Sequence, residues 1–192
     1  PLDLAEALHG PDIYMDFYDN PDELHDFLDY CAQATIKFAE DIYRLIRKYR
    51  QNAEYGTMFI DGIINMSEDI SSMISPELYD EFCAPHTQKV IDHFGCGHMH
   101  SHSCAIYLVK HICSLKNVAN LWLATDPNHP RPFDMLEKLV EDADGTCLAI
   151  DCKSFKEIKD NIDILREGNF SICLPVVTME EAVYFTERFH EL

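Results

Sequence analysis

The feature that most constrains the fold of this chain is a regular alternation of short strand-like segments with longer helical ones. The strand-like segments cover residues 57–66, 97–104, 120–125, 146–151 and 170–174. Segments with helical spacing of their apolar residues follow them, over about residues 75–93, 105–115, 133–141, 155–166 and 179–189, and Pro85 should kink or divide the first of these helices. Strands that alternate with helices of about ten or more residues pair in parallel through right-handed crossovers. The sequence therefore predicts an α/β fold of about five strand–helix units.

A long helix precedes these units. Asn20 can cap its start, Pro21 suits the first helical position, and the carboxylates of Asp22 and Glu23 follow where the helix dipole favours them. Apolar residues then keep the i, i+3, i+4 spacing of an amphipathic helix as far as Tyr49. We expect one continuous helix that ends near this residue.

The number of units leaves two architectures open. Five units are too few to close an eight-stranded (β/α) barrel, which usually takes about 250 residues, whereas this chain has 192. The pattern therefore fits either an open, doubly wound sheet or part of a barrel.

The composition excludes several classes of partner. The chain has 34 acidic and 15 basic residues and a net charge of −19, so its surface repels the phosphates of nucleic acids and of anionic lipids. No apolar run approaches the roughly 20 residues of a membrane span. With 47% hydrophobic residues the chain can bury one core, and we expect a single domain over residues 1–192.

Eight cysteines are spread along the chain, several of them in apolar runs. A chain of this size without a signal-peptide pattern is typical of a reducing compartment, where thiols stay free. We therefore expect a cytoplasmic protein without disulfides.

The most reactive stretch lies between residues 97 and 104. If it is extended, His98, His100, His102 and Cys104 all lie on one side, because the side chains of a strand alternate with period 2. Imidazole and thiolate are the ligands that Zn²⁺ prefers. His98 stands at the start of the strand, and we expect it to be structural; the alternative for the whole stretch is a polar lining without metal.

Carboxylates and thiols follow the other strands, at the edge where the carboxyl ends of parallel strands meet. Glu68 and Asp69 come after the first strand and can orient a substrate or a ligand histidine, or cap the next helix. The residues that follow later strands are equally explained as turn or packing residues: Asp126, His129, Asp151, Cys152 and Cys173.

Four blocks of the sequence resemble segments of the uroporphyrinogen decarboxylase superfamily. They are residues 19–25 (DNPDELH), 67–69 with 74–85 (SED and ISPELYDEFCAP), 94–97 (FGCG) followed by His100, and 178–183 (TMEEAV), and they occur in the family's order. The resemblance points to the branch of cobalamin-dependent methyltransferases, which move methyl groups between corrinoids and thiols.

This resemblance implies a (β/α)8 TIM-type barrel, present here as a partial barrel without its first part, with the site in a funnel at the carboxyl ends of the strands. It also implies zinc, which these methyltransferases hold through an H-x-C pair and a later cysteine. Alignment on Phe94 and Gly95 places His100 and His102 at the pair, whereas alignment on H-x-C selects His102 and Cys104. A third ligand from this chain would be Cys152 or Cys173.

The implied activity is methyl transfer between a corrinoid and a thiol that zinc activates. Asp69 and Glu68 are the catalytic candidates, and His100, His102 and Cys104 are the metal candidates. The expected substrates are a small thiol or a methylated compound, with cobalamin bound as a substrate or carried by a corrinoid partner protein.

Two alternatives remain within the same superfamily. A tetrapyrrole decarboxylase needs a basic pocket for several carboxylates, and only 15 basic residues are present. A non-catalytic or truncated member that binds a ligand or partner would explain the altered H-x-H-x-C stretch. Because a partial barrel exposes sheet edges and apolar helix faces, we also expect either a homodimer or covering of these surfaces by residues outside this sequence.

Overall fold

A parallel β-sheet forms the centre of the fold. The computed structural model describes residues 1–49 and 62–192. Within them, five strands pair in the order β1-β2-β3-β4-β5, and every pair is parallel. The strands are β1 Ile64–Ser67, β2 Gly97–His102, β3 Val118–Ala124, β4 Cys147–Asp151 and β5 Phe170–Cys173. The α/β class and the parallel sheet are confirmed.

Among the described residues, three helices precede the sheet. They are α1 Leu2–His9, α2 Ile13–Asp19 and α3 Pro21–Tyr49. The long helix α3 begins where the sequence predicts and is helical as far as Tyr49, after which the next described residue is Gly62. It has acidic residues in its first turn and basic residues close to Tyr49. In the described residues no helix is both long and apolar enough to cross a membrane.

Helical segments connect each strand to the next. After β1 come a 3-10 turn Ile70–Met73, α4 Pro76–Leu78, a π-helical turn Tyr79–Cys83 and α5 Ala84–Phe94. After β2 come a 3-10 segment Ser103–Leu108 and α6 Val109–Cys113. After β3 come a 3-10 turn Pro132–Met135 and α7 Leu136–Ala143, and after β4 come α8 Phe155–Asp160 and α9 Ile162–Glu167. The last helix, α10 Met179–Phe189, follows β5.

The sequential strand order gives the sheet two different faces. Right-handed crossovers that always step to the next strand place every helix on the same side. The residues on that side are buried: Ile64, Met66, Met99, Ser101, Leu121, Leu123, Leu148 and Ile150. Helix α5 packs there, since a Cβ on Gly97 would stand 2.9 Å from Cγ1 of Ile91. A doubly wound sheet reverses its strand order, and this order does not reverse.

The opposite face of the sheet is polar and only half-buried. It carries Asn65, Ser67, His98, His100, His102, Asn120, Trp122, Ala124, Cys147, Ala149 and Asp151. Adjacent members are register partners, for example Ser67 with His100 and His100 with Trp122. We call this surface the polar face.

Several predicted boundaries are wrong. The strand predicted over 97–104 ends at His102, because Ser103 and Cys104 begin a 3-10 segment that binds Asp126. The helices predicted over 105–115, 133–141 and 155–166 each have two parts. Of the strand predicted over 57–66, residues 57–61 lie outside the described residues, and the rest pairs from Ile64. By contrast, the prediction that Pro85 kinks or divides the helix from Ser75 is confirmed: a π-helical turn ends at Cys83 and α5 begins at Ala84, because proline has no N–H for the helical ladder.

The buried face of the sheet should dominate stability. Leu123, on β3, is fully buried, so Leu123→Ala should lower the free energy of unfolding by about 2–5 kcal/mol. The control Leu8→Ala removes the same atoms from an exposed position on α1 and should change the free energy of unfolding by less than about 0.5 kcal/mol. Urea unfolding followed by circular dichroism measures both. Equal losses would contradict the assignment of the buried face.

Candidate metal centre

Three side chains meet at the carboxyl end of the first two strands. His100 and His102 project from the polar face of β2, and Asp69 follows the end of β1. Because Ser67 pairs with His100 in parallel register, the chain beyond β1 passes beside the end of β2. One ligand atom from each of the three residues lies within 4.8 Å of the other two. Across residues 1–49 and 62–192, no other group of three such residues is this compact.

The distances suit a tetrahedral ion. One oxygen, Oδ1 of Asp69, lies 3.4 Å from Nε2 of His100 and 3.2 Å from Nε2 of His102. Nitrogen and oxygen ligands about 2.0–2.1 Å from a tetrahedral zinc ion stand about 3.3–3.4 Å apart. A carboxylate with two imidazoles also leaves one coordination position for a substrate. The three residues therefore fit a metal ion, and zinc is compatible with them.

A second carboxylate fixes the orientation of His102. Oδ1 of Asp126, just after β3, lies 2.8 Å from Nδ1 of His102. Because an ionised carboxylate only accepts, the imidazole must carry its proton on Nδ1. In the neutral imidazole the lone pair is then on Nε2, the atom that faces Asp69. Carboxylate–histidine–metal arrangements in proteins use the same contact to orient a ligand.

Asp126 is itself held by the segment that ends β2. Its Oδ2 accepts from the backbone N–H of Cys104 at 3.0 Å and from Oγ of Ser103 at 3.2 Å. Desolvation raises the pKa of Asp126, but the hydrogen bonds from Cys104 and His102 outweigh it and lower the pKa to about 2. Asp126 is therefore ionised throughout the physiological range.

His100 is held by an aromatic contact. Its ring centroid lies 4.5 Å from that of Trp122, its register partner on β3, and 4.9 Å from the ring of His102. Desolvation by these neighbours lowers the pKa of His100, and the nearby His102 lowers it further, against the opposing effect of Asp69. The lowered pKa favours the neutral ring, the form that binds a metal ion.

The structure does not bring Cys104 into this group. Cys104 lies in the 3-10 segment after β2, so the strict alternation that would align it with the histidines ends one residue earlier. Burial raises the pKa of its thiol, and its hydrogen bond with Asp126 raises it further. Of the two registers considered from sequence, the geometry favours the one that pairs His100 with His102. Asp69, predicted as a catalytic residue, is the third member of the compact group.

Glu68 points to the opposite side of the sheet from Asp69. Its side chain is 1% exposed and accepts hydrogen bonds from Ser71 at 2.7 Å, Thr87 at 2.7 Å and Tyr79 at 3.4 Å. These hydroxyls belong to the turn after β1 and to the helices that cover the sheet. Glu68 therefore ties β1 to its helical layer, and its catalytic role stays a prediction without support from this packing.

The other predicted residues lie away from the group. His98 shares the polar face but stands near the amino-terminal end of β2, as expected. His129 is exposed in the loop after β3. Cys152 is buried, and Asp151 and Cys173 are register partners on β4 and β5. None of these five belongs to the compact group formed by the described residues.

The comparisons with known proteins add no relative. No family model matches the chain, and no curated protein matches it significantly. The site is therefore interpreted from its own geometry and from the resemblance of the sequence blocks.

The role of Glu68 can be tested through its donors. Thr87→Val keeps the shape of the side chain but removes the 2.7 Å hydrogen bond, so it should lower the free energy of unfolding by about 1–3 kcal/mol. The control Thr186→Val removes an exposed hydroxyl on α10 and should be nearly neutral. Urea unfolding gives the stabilities and calorimetry gives zinc affinity. Zinc affinity that falls while stability stays unchanged would show that Glu68 acts at the metal site instead.

Proposed function

We propose that this chain is a metal-dependent, methyltransferase-like member of the uroporphyrinogen decarboxylase superfamily that moves a methyl group between a corrinoid and a thiol. The observation that carries the proposal is the group of Asp69, His100 and His102 at the carboxyl end of the parallel strands. Active sites of (β/α)8 barrels lie at this end.

The sheet supports a barrel rather than an open sheet. Its helices lie on one side, its strand order does not reverse, and its other face carries half-buried polar side chains. Purely parallel sheets occur almost only with both faces covered, and closure into a barrel covers the inner face with the sheet itself. We propose that the described strands form part of such a barrel and that the polar face lines its interior.

The residues of the site have distinct proposed roles. Asp69, His100 and His102 bind the ion, and Asp126 keeps Nε2 of His102 free for it. A zinc ion held there would lower the pKa of a bound thiol and so supply a thiolate at neutral pH. The ring of Trp122 backs His100 and limits its movement. The methyl donor would be a corrinoid, free or on a partner protein.

Charge favours this activity over tetrapyrrole decarboxylation. The polar face of the five described strands carries no lysine or arginine. Arg131, at the same edge of the sheet, is occupied by Asp134 and Glu157 at 2.6 and 2.9 Å. A substrate with several carboxylates would therefore find no cation among the strand residues of this face, whereas a small thiol needs only the metal position.

The metal centre predicts a specific pattern of zinc binding. The untagged protein should bind about one zinc ion per chain, and His100→Ala and His102→Ala should each remove most of it, because two ligands hold zinc far less tightly than three. His98→Ala is the matched control, since it removes a histidine from the same face of the same strand outside the group. Mass spectrometry of metal content and competition with a chelator measure both.

Methyl transfer to a thiol is tested by an assay separate from zinc binding. With methylcobalamin as the methyl donor and 2-mercaptoethanol as the acceptor, the zinc-loaded protein should accelerate loss of the methylcobalamin spectrum, and His102→Ala should not. If the protein binds zinc but does not accelerate the loss of methylcobalamin, the metal centre is supported and the proposed methyl transfer is contradicted.

Substitution of Asp126 should lower the zinc affinity although all three proposed ligands stay in place. Asp126→Asn replaces one accepting oxygen by an amide that cannot accept from both His102 and the N–H of Cys104, so zinc affinity should fall about 10–100-fold. Asp151→Asn makes the same change at the end of β4 and should leave the affinity unaltered. Isothermal titration with zinc compares the two. Equal affinities in both variants would exclude the orienting role of Asp126.

A further inference from the structure

The carboxyl-terminal half of α3 exposes a continuous apolar stripe. Phe38, Ile42, Leu45 and Tyr49 have relative exposures of 69%, 37%, 52% and 72%. Their spacing of four, three and four residues is that of a coiled-coil seam, so they lie in line along the helix. We call these residues the α3 stripe. The core-facing residues of the same half, Ala39 and Tyr43, are buried on another side of the helix.

We propose that the α3 stripe binds the same stripe of a second copy of this chain, with the two α3 helices antiparallel. A two-fold axis that crosses the helix between residues 43 and 44 sets Ile42 against Leu45 of the second copy. The same axis sets Phe38 against Tyr49 of the second copy. Each copy thus contributes the same surface, as a closed two-fold interface requires.

Charges along one edge of the stripe select this arrangement. Asp41 and Lys48 occupy equivalent positions on one flank of the stripe, one heptad apart, and Arg44 lies further round the helix on the same side. Equivalent flanking positions face each other across antiparallel helices. The two-fold axis places Asp41 of each copy at the level between Arg44 and Lys48 of the other. Within one copy Asp41 pairs with Lys37 and Arg44, and because Asp41 is 46% exposed and Arg44 is 69% exposed, these surface pairs can add or exchange a partner across a dimer interface. A parallel pairing would offer Asp41 no such partner, because Ile46 would face it.

The interface is independent of the proposed metal centre. The α3 stripe lies on the layer of helices, and the metal centre lies at the edge of the sheet on its other face. Loss of dimerisation therefore leaves zinc binding unchanged, and loss of zinc leaves the dimer intact.

Sedimentation velocity of the full chain over a range of concentrations tests the stripe. The wild type should be a dimer at micromolar concentration, and Leu45→Asp should be a monomer with an unchanged helical circular dichroism signal. Met15→Asp, which changes a similarly exposed residue on α2, should remain a dimer. A monomeric wild type, or dimers that persist in Leu45→Asp, would overturn the proposal.

Charge exchange tests the antiparallel register. Asp41→Lys places like charges opposite each other across the interface, and Lys48→Asp does the same with the other sign. Each variant should raise the dimer dissociation constant about tenfold. Mixed in equal amounts, the two variants should form a heterodimer at wild-type affinity. In that heterodimer the introduced lysine of one copy faces the introduced aspartate of the other, and the unchanged Lys48 and Asp41 face each other. Failure of the mixture to pair more tightly than either variant would refute this register.

Discussion

The strand order of the sheet is the constraint on which the rest of the structure depends. Each strand pairs with the next one in the chain, and every pair is parallel. The helices are therefore collected on one side, and the carboxyl ends of β1, β2 and β3 come to lie side by side at one edge. Asp69, the histidines of β2 and Asp126 become neighbours for this reason alone, although up to 57 residues separate them in the chain.

A single carboxylate links the end of β2 to the chemistry of the site. Asp126 receives the backbone N–H of Cys104 and the hydroxyl of Ser103, which turns the chain out of the strand after His102. The other oxygen of the same carboxylate orients His102. The carboxylate that ends the strand thus also orients His102, a proposed metal ligand, so the local fold and the candidate site share one interaction.

The sequence was sufficient for the order of the elements and for the long helix. Periodicity located α3, and apolar runs located β3, β4 and β5 to within a residue or two. The histidines were recognised because three of them alternate within one strand. The sequence predicts a catalytic role for Asp69 and not a place beside the histidines. Its distance from His100 and His102 depends on the pairing of β1 with β2, which the sequence pattern does not specify. A period of two places Cys104 beside the histidines only if the strand continues, and the strand ends at His102, where the next residues bind Asp126.

The central claim is that a carboxylate, Asp69, and two imidazoles hold the metal ion without a cysteine. Zinc K-edge X-ray absorption of the protein loaded with one zinc per chain tests this claim most directly. The structure predicts only nitrogen and oxygen neighbours at about 2.0–2.1 Å, with one sulfur neighbour at about 2.3 Å appearing when a thiol is added. A sulfur neighbour present before any thiol is added would contradict the claim and return Cys104 to the ligand set.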